Sequence, residues 1–241
     1  MNRTRDDSIA SEVARRILRG PSKKLWSFRD FSDLDSMPVA AALSRLSRAG
    51  KLRRVRRGIY YRPKVTAFGE SRPDPATVAD AVLRRRKSIP LRGYNRLGLT
   101  TQVSNDMVRA VEHPTRIKPV RGIVMRTVTR PISRQKGITA DERLALDALR
   151  NIHRIPDAST PSAVKRIKTL VANNRLNMVR LARFARAEPP RVRALLGAIA
   201  EDVGNHRSTA EILRQNLNPL TTYRVPGISA ALRNASNWHI K

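Results

Sequence analysis

Eight basic residues and no acidic one lie between Arg45 and Arg62. Most are arginines. The arginine guanidinium is a planar fork of donors that fits phosphate oxygens and the O6/N7 edge of guanine. The chemistry this stretch can do is therefore recognition of a polyanion, not the making or breaking of bonds. Its spacing has two parts. Arg45 and Arg48 fall one helical turn apart, while Arg53, Arg54, Arg56 and Arg57 flank Gly58.

The surrounding residues predict how these arginines are held. Asp35 or Ser36 can cap a helix, and Pro38 suits a first turn, where its missing N–H costs nothing. Val39, Ala42, Leu43 and Leu46 recur at i, i+3, i+4 and i+7 and define one apolar face. The opposite face carries Ala40, Ala41, Ser44, Arg45 and Arg48, all short or basic. Gly50 is placed to end the helix. Two extended pieces follow, Leu52–Val55 and Ile59–Tyr61, joined by a tight turn at Arg56-Arg57-Gly58. Upstream, the pattern predicts a helix over Ser8–Arg19 with Ala10, Val13, Ala14, Ile17 and Leu18 inward, stopped by Gly20-Pro21. A short extended piece at 25–28 and a short helix from Arg29 come next, with Trp26, Phe28 and Phe31 as an aromatic core. Helix, strand, helix, turn, helix, strand, strand is the order of a winged helix-turn-helix, placed over residues 1–66. A solvated basic helix packed on an ordinary hairpin is the competing reading.

Composition agrees with a polyanionic partner. The 241 residues hold 49 Lys+Arg against 19 Asp+Glu, a formal charge of +30. That much self-repulsion is offset economically by DNA, RNA or an anionic surface. There are no cysteines, which removes disulfides and thiolate chemistry. The histidines, His113, His153, His206 and His239, have no metal-ligand spacing, and there is no phosphate-binding glycine loop or nucleophile elbow. Glu201-Asp202 reads as a solvated acidic pair. No cofactor, metal site or catalytic residue is expected. The N-terminus has no apolar targeting segment, and no apolar run is long enough to span a membrane, so a soluble, cytoplasmic protein is expected.

Beyond a Pro/Gly-punctuated linker at about 62–74, a second domain is expected over residues 74–241. Its first part reads as mixed α/β to about residue 130. Asp74 caps a helix from Pro75 to about Arg86, ending in the run Arg84–Lys87, a phosphate contact or a helix C-terminus satisfied by cations. A short helix closes at Gly98, and strands fall over 103–111 and 122–128, with Val108, Val111, Ile123, Met125 and Val128 inward. From about residue 139 the chain reads as helical. Thr139-x-x-Glu142 looks like a capping box, Ser208-x-x-Glu211 is expected to open the last helix, and Val192, Leu195, Leu196, Ile199 and Val203 form the clearest stripe. Tyr223 and Trp238-His239-Ile240 are expected to return as extended structure. The fold class is α+β, mostly helical.

The run VAAALSRLSRAGKLRRVRRGIYYRP, followed by DPATVADAVLRRRKSIPLRGYNRLGLTTQVS, resembles the AbiEi-family antitoxins of bacterial abortive-infection toxin–antitoxin systems. The resemblance covers residues 8–130, and the stretch Asn95–Val103 is similar to a signature of that family. It implies two domains. The first represses its own operon by binding inverted repeats in duplex DNA at the promoter, and the second counteracts a nucleotidyltransferase-type toxin. Carried over by position, the DNA-facing residues are Ser36, Ala40, Ser44, Arg45 and Arg48 on the helix and Arg53, Arg54, Arg56 and Arg57 on the wing. No toxin-facing residue carries over. A winged-helix regulator without a toxin partner and a basic RNA-binding protein remain alternatives.

Overall fold

Local signals set the boundaries of the second helix. The Asp35 carboxylate accepts from the Met37 N–H at 3.2 Å. At the other end Gly50, with φ +73°, lets the N–H of Lys51 reach the Leu46 carbonyl at 3.0 Å and its own N–H reach Ser47 at 3.2 Å. This is the paired closure that glycine favours after a helix. The computed structural model describes residues 2–22, 24–84, 86, 88–91, 93–102, 107–117, 120, 123–130, 137–215 and 217–241, with backbone only for 2–7. Contacts divide the chain into two compact units, residues 1–88 with 116–126, and residues 89–115 with 127–241. The architecture is α+β, about half helical with small sheets.

In the first unit α1 (Asn2–Arg19), β1 (Leu25–Trp26), a 3-10 turn (Phe28–Phe31), α2 (Ser36–Arg48), β2 (Arg53–Arg56) and β3 (Ile59–Tyr61) follow in order. The sheet order is β1-β3-β2, antiparallel throughout, with Leu25 opposite Tyr61 and Trp26 opposite Tyr60. The early strand β1 thereby braces the later hairpin. Val13, Ile17, Trp26, Phe31, Val39, Leu43, Leu52 and Tyr60 form one core. Trp26 and Phe31 stack with centroids 5.6 Å apart. The Trp26 ring also lies where a Cβ on Gly20 would be, at 2.4 Å from Cζ2.

Several expectations are corrected here. Helix α1 begins at Asn2, not Ser8. Phe28 is 42 % exposed and lies outside the aromatic core, and Leu18, 58 % exposed, lies off the buried stripe of α1. The stretch expected as a linker folds into a second hairpin, β4 (Val65–Thr66) and β5 (Gly69–Glu70). Arg62 also ties it to the body, donating to the Leu18 and Gly20 carbonyls at 2.6 and 2.9 Å. These are orphan acceptors of the end of α1. Helix α3 (Pro75–Leu83), capped by Asp74, buries Val78, Ala79 and Leu83 against the first unit, next to β1. The contact division consequently falls after Ser88, beyond the expected end at 66. The basic run after α3 includes Arg85 and Lys87, which lie outside the described residues.

β6 (Ser88–Leu91), β7 (Met107–Val111) and β8 (Met125–Thr129), most of whose residues fall in the second unit, form a sheet in that order, with Leu91, Val108 and Ala110 buried together. Strand β6 was not expected. The expected strand starts at 103 and 122 lie outside the described residues. A 3-10 turn, Tyr94–Leu97, closes at Gly98 as expected. Helices α4 (Ala140–Arg150), α5 (Thr160–Ala172), α6 (Met178–Ala185) and α8 (Arg207–Arg214) pack around α7 (Pro190–Val203), which is buried from Ala194 to Ala200. A helix apolar on all sides belongs at such a centre. Helix α8 starts at Arg207, so Ser208 is already inside its first turn and no capping box forms. At the chain end, among the described residues, only Tyr223 and Ile240 pair, in a parallel bridge; Trp238, expected as extended, instead closes a 3-10 turn from Ala235 with His239 left-handed at φ +56°, and its ring is fully buried in the core.

Glu201-Asp202 is not an isolated pair: Glu201 is half-buried and Asp202 exposed, and both are engaged. Glu201 Oε2 accepts from Trp238 Nε1 at 2.5 Å and from Asn234 Nδ2 at 3.0 Å, and Asp202 pairs with Lys168. The ring of Trp238 occupies the space a side chain on Gly197 would need. A Cβ there would lie 2.1 and 2.2 Å from Cζ3 and Cη2.

The capping box at Thr139 forms, and Glu142 does more than cap. It is 1 % exposed. Its carboxylate accepts from Thr139 N at 2.9 Å, from Asn177 N at 3.3 Å and from Arg180 Nε at 2.8 Å. Burial pushes its pKa up, but the Thr139 N–H, the Arg180 guanidinium and the Asn177 N–H outweigh this and hold it below the ordinary glutamate range. A depressed acid contributes stability that is present above its unfolded pKa, about 4.3, and is lost as pH falls through the folded value. Glu142→Gln is therefore expected to lower stability by about 1–3 kcal/mol at neutral pH and to flatten the acid limb of the stability curve below roughly pH 4. Urea midpoints across a pH series check both. An unchanged acid limb would refute the assignment.

Candidate nucleic-acid interface

The inward face of α2 buries Val39, Ala42 and Leu43, with Leu46 half-buried. The outward face presents Ser36, Met37, Ala40, Ala41, Arg45 and Arg48 to solvent, and Ser44 is half-buried. Of the expected helix residues, Ser36, Ala40, Arg45 and Arg48 are thus open and Ser44 partly so. Met37, 78 % exposed, belongs on the same face and was missed. Its signal was present, since Met37, Ala40, Ala41 and Ser44 repeat at three and four.

The hairpin carries the remaining cations. Arg54 stands opposite Tyr60 and Arg56 opposite Ile59, with a register shift between them. A bulge of this kind places an extra residue, Val55, on one strand and turns the strand locally. Val55 is buried, while Arg54, Arg56 and Arg57 are exposed. Gly58, φ +76°, makes the turn. Arg53 differs from the rest. Its fork meets Glu70 at 2.8 and 2.5 Å and its Nη1 donates to the Gly50 carbonyl at 3.0 Å. The Glu70 carboxylate raises the Arg53 pKa. Arg53 is thereby occupied in joining β2 to the second hairpin. Among the described residues Arg45, Arg48, Arg54, Arg56 and Arg57 have no ion-pair partner.

The acidic residues nearby are likewise engaged. Asp33 is bridged by Arg16 at 2.9 and 2.6 Å, and Asp30 holds the Ser27 N–H at 2.8 Å. Hydrogen bonds from Arg16 hold the Asp33 carboxyl below its ordinary range. Few carboxylates remain to repel a polyanion, so the outward face of α2 and the Arg54–Arg57 hairpin are electrostatically uniform.

A second polar cluster lies inside the other unit. Tyr94 donates to Asp147 at 2.7 Å, Arg130 approaches Asp147 at 3.5 Å, and Arg150 meets Glu188 at 3.3 Å. Burial raises the Glu188 pKa against the opposing pull of Arg150. Of these groups Arg130, Asp147 and Glu188 border a small cavity with Leu91, Ala110, Arg143 and Leu146. Among the described residues no group of three or more His, Cys, Asp or Glu could hold a metal ion. No helix there is long and apolar enough to cross a membrane.

Fold and surface together define an α+β protein with an open helix-and-hairpin surface whose charges are all basic. The chain belongs to the family described as a family of unknown function, DUF6088, whose model matches residues 12–197. It is similar in fold to the crystal structure of the RV2827C protein from Mycobacterium tuberculosis, with a TM-score of 0.51 and 14 % identity, covering 97 % of this chain and 90 % of that one. No curated protein matches it.

Proposed function

We propose that residues 1–66 act as a winged helix-turn-helix that binds duplex DNA, with α2 as the recognition helix and β2–β3 as the wing. The observation that carries the reading is the coincidence in one unit of an exposed helix face with few bulky side chains and five exposed arginines without ion-pair partners among the described residues. Such a face can enter a major groove, and wing arginines can hold the flanking phosphates. The order helix, helix, hairpin, closed by an early strand, supports it.

In this reading the protein is a non-enzymatic antitoxin and autorepressor. It binds inverted repeats at its own promoter and, through the region after residue 74, counteracts a nucleotidyltransferase-type toxin encoded beside it. The family resemblance over residues 8–130 supports the toxin half. Two measurements test the two halves separately. The full chain is expected to bind its upstream duplex more tightly than structured RNA at matched salt. Co-expression with the adjacent gene is expected to rescue growth that the adjacent gene alone arrests. Equal binding to RNA overturns the first half, and failure of rescue overturns the second.

A further inference from the structure

The second hairpin, β4–β5, carries residues that folding does not explain. Thr66 pairs with Gly69, so Ala67-Phe68 is a two-residue tip. Tips of this kind favour Gly, Asn and Asp, yet here the tip holds a phenylalanine that is fully exposed, with Val65 beside it 77 % exposed. The hairpin itself is firmly built. Thr66 Oγ1 donates to the Gly69 carbonyl at 2.8 Å, and at its base Ser71 N and Lys64 O meet at 2.8 Å, as do Lys64 N and Ser71 Oγ. The Arg53–Glu70 fork fastens it to β2, the strand that also carries Arg54 and Arg56. Between Lys51 and Arg72 there are eight basic residues and one acidic residue, Glu70, which Arg53 neutralises. An exposed apolar tip on a hydrogen-bonded hairpin, carried by a stretch rich in cations, suits a partner that is a polyanion outside and apolar between its layers.

We propose that Phe68 is a wedge that enters between adjacent base pairs of the duplex, opening one step while the neighbouring arginines hold the backbone. Apolar side chains inserted at base steps partly unstack them and kink the helix, most cheaply at pyrimidine–purine steps. The inference rests on the proposed DNA binding and adds to it a specific contact outside the helix and the wing. Phe68 packs on nothing within its own unit, so its removal leaves the fold intact.

The test uses the full chain and the duplex upstream of its own reading frame, with 2-aminopurine at successive adenines. Wild type is expected to raise 2-aminopurine fluorescence at one step. Phe68→Ala is expected to abolish that rise and weaken binding roughly tenfold at an unchanged melting temperature, whereas Phe68→Trp retains both. If wild type fails to bind the duplex with a salt-dependent affinity, the DNA reading falls and the wedge with it. If wild type binds and Phe68→Ala matches it in affinity and fluorescence, the wedge alone is wrong. If Phe68→Ala instead abolishes self-association in sedimentation while DNA binding persists unchanged, the tip meets a second copy and the proposal is overturned.

Discussion

Gly197→Ala is expected to destabilise the second unit by about 2 kcal/mol, although alanine is the better helix former. In the middle of a helix, replacing Gly by Ala ordinarily gains about 1 kcal/mol. Here the new methyl would sit 2.1 to 2.8 Å from three atoms of the Trp238 ring. The ring cannot swing away, because it is fully buried and its Nε1–H is held by Glu201. Overpacking at a fixed aromatic costs more than the helix gain returns. Trp238→Ala alone should cost about 3–5 kcal/mol through the cavity it leaves. The double variant should be much less destabilised than the sum, because the methyl then enters vacated space. Urea denaturation of the four proteins checks this, and strict additivity would show that the two residues do not meet.

The second large effect concerns DNA. Arg56→Ala/Arg57→Ala should weaken binding to operator and scrambled duplexes alike and lower the slope of log K against log salt by about two units, at roughly 0.9 per lost phosphate contact. Arg53→Ala should leave that slope unchanged, since Glu70 already occupies its guanidinium. Arg45→Ala should cost about 1–3 kcal/mol on the operator and little on scrambled DNA, because a base contact is lost and not a phosphate contact. Binding isotherms across a salt series separate the three. A full salt slope in the double variant would reduce the arginine turn to a solvated hairpin tip and overturn the wing assignment.

What was legible in the sequence was local. The buried face of α2, its Asp35 cap, the Gly50 closure and the Thr139–Glu142 box all depend on residues within a turn or two, where spacing reports contact directly. The arginines that stay open on the hairpin were legible for the same reason. Illegible features depended on distance in the chain. Nothing local marks Arg53 as taken, because its partner Glu70 lies seventeen residues on. Glu201 read as isolated because its partners Trp238 and Asn234 arrive only with the chain's return. The β4–β5 hairpin has two-residue strands, too short to show alternation. Ser208-x-x-Glu211 had the right letters, but α8 begins two residues too early for them to act, with His206 at the cap.

The placement of the two tryptophans has an optical consequence. Trp26 falls in one unit and Trp238 in the other, each pressed against a glycine and each under a cation, Lys24 at 4.0 Å and Arg214 at 4.4 Å. Their indole N–H groups differ. That of Trp238 donates to a carboxylate, while that of Trp26 is buried with no hydrogen-bond partner among the described residues. Each unit thus contains one tryptophan in its own dielectric setting. With Trp26→Phe the emission follows the melting of the second unit alone, and with Trp238→Phe that of the first, so the cooperativity of the whole chain can be read as colour without any added label.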